Sequence, residues 1–109
     1  MIHLTEDLVY VKVHKTEEDE SGFGSVVAVC DKDLLGRTFR ENEVILTINA
    51  EFFEGFLTTL DEALEYIRRA AIAVLVGEKA VSKAVSEGLV HPEAVLTVEG
   101  IPHAQIVKV

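Results

Sequence analysis

Cysteine is nearly absent from this chain. Cys30 stands alone, so no intramolecular disulfide can form, and the usage fits a reducing compartment. There is no N-terminal apolar run behind a basic start. No apolar stretch approaches the roughly 20 residues that span a bilayer. Both absences point to a soluble, cytoplasmic protein without a membrane partner. Positive charge is also scarce: 10 Lys and Arg stand against 19 Asp and Glu, a net charge of −9. Nucleic-acid binding rests on Lys and Arg facing phosphate, so free-standing DNA binding is not expected. A salt-rich cytoplasm selects acidic surfaces whatever the function, so charge alone does not separate the two origins.

Signatures of chemistry are missing as well. Ser21, Ser25, Ser82 and Ser86 lie in no Gly-x-Ser-x-Gly frame. No Gly-x-Gly-x-x-Gly or phosphate loop occurs. No Cys-x-x-Cys or His-x-x-x-His pair accompanies Cys30 and the four histidines, so neither a metal nor a cofactor is expected. Cys30 reads as a small buried apolar residue.

What is present is a core. Of 109 residues, 49% are apolar, enough for one globular domain over the whole chain. The stretch from Thr59 to Gly88 carries the only long helical pattern. Thr59 and Glu62 form a capping box, and Gly88 supplies a left-handed stop. Apolar residues recur between them at Leu60, Ala63, Leu64, Ile67, Ala70, Ala71, Val74, Val81 and Val85. An unbroken helix from Leu60 to Glu87 would run about 42 Å, beyond the ~34 Å diameter of a compact domain of this size. Gly77 is the natural break. The pattern therefore predicts a buried helix to about Val76 and a shorter amphipathic one from Glu78. Val27, Val29, Ile67, Ala71, Val74 and Val81 are the expected core.

Strands flank this region. Leu8–His14 alternates as a half-buried strand, while Ser25–Cys30 is apolar on both faces and reads as central. Asp31 resembles an N-cap for a single turn over Lys32–Leu35. Arg37–Arg40 is a short extended piece, and Val44–Asn49 alternates as a third strand. Phe52, Phe53 and Phe56 around Gly55 form an aromatic connection. Val95–Glu99 and His103–Val107 complete five strands. Met1–Asp7 is a polar lead-in, and Lys15–Gly24 an acidic loop of solvated charge. The order predicts an α+β fold: about five mostly antiparallel strands with two main helices on one face.

Candidate binding residues are few. His103 and Gln105 are two apart on a strand and so share a face, where an imidazole beside a carboxamide can position a ligand or pass a proton. Gly77 and Glu78 open a helix whose free amides could receive an anion. Arg37, with Arg40, Arg68, Arg69 and Phe39, offers a small RNA-facing patch. Each has a plainer reading: an edge-strand polar pair, close packing at a glycine, and solvated surface charge.

Three segments together resemble a known family: Val27-Ala28-Val29-Cys30-Asp31 running into Leu34-Leu35-Gly36-Arg37-Thr38-Phe39-Arg40, then Ile72-Ala73-Val74-Leu75-Val76-Gly77-Glu78, then Gly100-Ile101-Pro102-His103-Ala104-Gln105. They are similar, in the same order from Leu8 to Val109, to the archaeal family known as domain of unknown function 424. Pro-His-Ala-Gln is the most specific part. Val74 departs from the family's asparagine, and the acidic stretch at Lys15–Gly24 is longer. The resemblance implies an archaeal cytoplasmic protein associated with translation or RNA metabolism. It supplies no activity, and it gives weight to His103 and Gln105. Two functions compete: a binding or adaptor protein with a protein or ribonucleoprotein partner, and a small enzyme or ligand-binding domain with a pocket around His103 and Gln105. A homodimer through an exposed edge strand is a third reading. A flat surface at His103 favours the adaptor, and a concave one favours the pocket.

Overall fold

A computed structural model of the chain describes residues 8–15 and 26–108. The expectations for Met1–Asp7 and for the body of the acidic loop lie outside these residues. In chain order the elements are β1 (Leu8–His14), β2 (Val26–Asp31), a 3₁₀ turn (Lys32–Leu34), β3 (Thr38–Glu41), β4 (Val44–Thr47), α1 (Ala50–Phe53), β5 (Phe56–Thr59) and α2 (Leu60–Arg69). They continue with β6 (Ile72–Val76), α3 (Glu78–Ser86), a second 3₁₀ turn (Pro92–Ala94), β7 (Leu96–Val98) and β8 (Ile101–Val107).

Six strands make one sheet in the order β5-β1-β2-β6-β8-β7, while β3 and β4 pair separately as a hairpin. Every neighbouring pair is antiparallel except β2 and β6. A parallel pair needs a crossover, and α2 provides it, carrying the chain from β5 at one edge to β6 near the middle. The two-residue period of the strands then sorts side chains between two cores. Val9, Val11, Val27, Val29, Leu75 and Ala104 face α2 and α3, meeting Leu64, Ile67, Val81 and Ala84. Ala28, Cys30, Val76 and Val98 face the other way, under Leu34, Phe39, Ile48 and Phe53. The α+β class, the mostly antiparallel sheet and the two main helices on one face are as the sequence predicts.

The first helix does not reach Val76. It ends at Arg69, with Ala70 extended (ψ 148°), and Ile72–Val76 is a strand. Five consecutive apolar residues carry no period, so the pattern alone cannot tell a buried helix from a buried strand. β-branched Ile72, Val74 and Val76 favour the strand, and β6 lies between β2 and β8, as an apolar central strand should. This places Ala71 on the surface and leaves Val74 half-buried, whereas Val27, Val29, Ile67 and Val81 are buried. The break at Gly77 stands, as a strand-to-helix junction. Among the described residues there are eight strands rather than five: β6 is one addition, β3 is the extended piece paired with β4, and β5 lies in the aromatic connection. Gly55 admits β5 to the sheet edge, because a Cβ there would overlap the Val11 carbonyl.

The helix ends follow local chemistry. The Thr59 hydroxyl accepts the Glu62 amide at 3.2 Å. The Glu62 carboxylate turns to the Thr58 hydroxyl (2.8 Å) instead of reaching back to the cap amide. At the end of α3, Leu89 N donates to Ala84 O and Gly88 N to Val85 O, the paired bonds of a Schellman stop. No helix among the described residues is long and apolar enough to cross a membrane.

Ile67 is 2% exposed at the centre of the helix-facing core. Ile67→Ala should lower unfolding free energy by roughly 2–5 kcal/mol, read in denaturant melts, and a loss under about half a kcal/mol would place this stripe in water.

Candidate functional site

Asp31, the last residue of β2, faces the helix side of the sheet and is only 5% exposed. Its carboxylate does not cap the 3₁₀ turn that follows it, as the local sequence suggests. It accepts instead from the backbone amides of Lys79 (3.0 Å) and Ala80 (2.9 Å), 48 and 49 residues away, and so caps α3. An anion at a helix N-terminus meets orphan N–H groups and the positive end of the helix dipole.

Gly77 makes this contact attainable. Its φ of +112° is open to glycine and strained for other residues. A Cβ there would also lie 2.5 and 2.6 Å from the two Asp31 carboxylate oxygens. The Gly77 amide donates to the Pro102 carbonyl at 2.8 Å, tying the start of β8 to the same junction. At this helix start the Lys79 and Ala80 amides are held by Asp31 and the Gly77 amide by Pro102.

Over this junction opens a cleft of about 490 Å³. Asp31, Asp33 and Leu34 line it from the end of β2 and the turn beyond. Glu78, Lys79 and Ser82 line it from α3, and Gly100, Ile101 and Pro102 from the start of β8. Its place, outside the carboxyl ends of a parallel strand pair, is where ligands bind in open α/β sheets. Three carboxylates face one Lys, so the cleft attracts cations and repels phosphate. Burial raises the Asp31 carboxyl above its ordinary range, and Asp33 adds to this; the Lys79 and Ala80 amides and the Lys79 charge pull it back in part. Burial, with Asp31 and Asp33 nearby, pushes the Cys30 thiol up to about 12. It stays protonated and buried, a packing residue as the sequence implies, and no nucleophile. Among the described residues no histidine lines the cleft beside Ser82. Among the described residues no group of three His, Cys, Asp or Glu could hold a metal ion.

The other predicted site residues lie elsewhere. His103 is half-buried and Gln105 exposed, on the β8 face that carries Ile101 and points away from α2 and α3. Only Glu78 of the predicted set lines the cleft, and Gly77 sits beneath it against Asp31. Arg37 is exposed in the loop before β3, its guanidinium 4.9 Å from the Phe39 ring centroid. Asp31 and Asp33 were not singled out as site residues by spacing. A lone acidic residue before a turn reads as a local cap, and nothing local indicates a partner helix so far along the chain.

The raised Asp31 carboxyl has a consequence for stability. Between the unfolded value of about 3.9 and its folded value, the native state binds more protons than the unfolded one. The Asp31 contribution therefore falls as pH rises through that window and is flat above it. The difference in unfolding free energy between wild type and Asp31→Asn should shift against wild type with rising pH in the acid range and then level off. Melts in a pH series check this, and a difference independent of pH would contradict it.

The comparisons agree with this fold. A solved structure, an uncharacterized conserved protein from Methanopyrus kandleri, is similar over 94% of each chain, with 28% identity and a TM-score of 0.70. No curated protein matches. The family model described as "Protein of unknown function (DUF424)" matches residues 18–109, and the chain belongs to that family.

Proposed function

We propose that this is a cytoplasmic binding or adaptor protein, serving translation or RNA metabolism through a protein partner, and that the partner docks on the sheet face carrying His103 and Gln105. One observation carries the reading. The hairpin and α1 cover only part of the sheet side opposite α2 and α3. Val76 and Val98 are buried there, while on the same face Leu96 is 62% and Val107 57% exposed. His103 pairs directly with Leu96 across the strands, and Gln105 with Val74. The imidazole and carboxamide thus lie between the exposed Leu96 and Val107 and outside the cleft lining. Exposed apolar patches larger than a few hundred Å² mark interaction sites. With a net charge of −9, the partner surface is better supplied by protein than by bare nucleic acid.

A second reading, a ligand-binding domain, is favoured by the 490 Å³ cleft, whose size lies within the range of small-molecule sites. Its ligand would carry positive charge toward Asp33 and Glu78.

Affinity capture from the native organism at its own salt concentration separates the readings. A partner held by wild type should be lost from both Leu96→Asp and His103→Ala baits while Glu78→Gln retains it. Equal retention by all baits would remove the face as the docking site.

A further inference from the structure

Resting on that reading, we infer that the occupant of the open face is a basic amphipathic protein segment, with apolar side chains on Leu96 and Val107 and Lys or Arg along its flanks. The strands that build the face carry no Lys, Arg, Asp or Glu: β6 is Ile-Ala-Val-Leu-Val, β7 Leu-Thr-Val and β8 Ile-Pro-His-Ala-Gln-Ile-Val. Phosphate therefore finds no cation on these strands, which turns the face away from direct RNA contact.

The border along β7 and the hairpin tip has one sign, while Lys108 follows Val107 at the far end of β8. Glu93 precedes β7, Glu99 follows it, and Glu41 and Glu43 stand at the tip of the hairpin that packs on β7; all four are exposed. Two of these carboxylates are held in place by backbone. Glu99 Oε2 accepts the Arg40 amide and Glu41 Oε1 accepts the Glu99 amide, both at 2.7 Å. The charge on this rim is fixed before any partner arrives. Val44, 54% exposed beside Glu43, extends the apolar surface toward that rim. Arg40 is the sole basic side chain of the hairpin strands, and it pairs with Ile45 on the hairpin face opposite Phe39 and Leu46.

An apolar surface flanked by carboxylates along its β7 side selects a partner with the inverse pattern there. A second copy of this chain would bring the same acidic rim and no basic side chain on the facing strands. It would also add another net charge of −9, so self-pairing through this face is opposed.

The test uses the full chain and two synthetic peptides of equal length, an amphipathic leucine–lysine helix and its leucine–glutamate counterpart, with binding read by fluorescence anisotropy at low and high salt. The leucine–lysine peptide should bind. Its affinity should fall at least tenfold for Leu96→Asp and for Glu93→Lys with Glu43→Lys, yet stay within twofold for the distant reversal Glu51→Lys. High salt should weaken it. Binding that ignores Leu96→Asp would remove the face as a docking site. If instead the leucine–glutamate peptide binds as well and is lost in Leu96→Asp, the face stands and the basic occupant is overturned. A wild-type dimer in sedimentation that Leu96→Asp turns into monomer would likewise replace the basic segment by a second copy.

Discussion

The Asp31 carboxylate, closed against the first amides of α3, is the contact from which the rest of the arrangement follows. It joins the end of β2 to the helix that follows β6, and so fixes how the parallel pair ends. Because the carboxylate fills the space where a Cβ would lie, residue 77 has to be glycine. The Gly77 amide then reaches the Pro102 carbonyl and sets where β8 begins. The alternation of β8 from that point sends Ala104 and Ile106 to the helices and His103 and Gln105 to the opposite face. A single buried carboxylate with two amide partners thus ties the cleft to the start of the Pro-His-Ala-Gln segment.

The same contact explains the electrostatic character of the cleft. Helix N-termini beside strand ends commonly receive phosphate. Here the Lys79 and Ala80 amides are occupied by the protein's own anion, and Asp33 and Glu78 add more negative charge. The opposite side of the sheet shows the complementary situation: three strands without Lys, Arg, Asp or Glu, partly uncovered, bordered along β7 by carboxylates. Negative charge is thus concentrated at the borders of both surfaces, which agrees with the acidity of the whole chain.

Much of this was legible from residues. Alternation located β1, β4, β7 and β8, the Thr59 cap began α2, and Gly88 ended α3 where a Schellman stop was expected. The shared face of His103 and Gln105 followed from their spacing. What escaped was long-range. Ile72–Val76 has no period, so only its place between β2 and β8 reveals a strand. Phe56–Thr59 is short and merges with the cap of α2, and its pairing to β1 depends on the absence of a side chain at Gly55. Asp31 looks like a local cap, because its true partners lie 48 and 49 residues away. Whether the His103 face is covered depends on how far the hairpin reaches across the sheet, which no pattern within β8 records.

The direct test of the junction is a double-mutant cycle between Asp31→Ala and Gly77→Ala, with unfolding free energies from denaturant melts. The backbone strain of alanine at φ +112° enters both backgrounds and cancels. The clash with the carboxylate enters only one. Gly77→Ala should therefore cost at least about 1 kcal/mol more when Asp31 is present than when it is alanine, well outside the few tenths typical of independent sites. Additivity within about 0.5 kcal/mol would contradict the account, since Gly77 would then answer to its own backbone alone and not to Asp31.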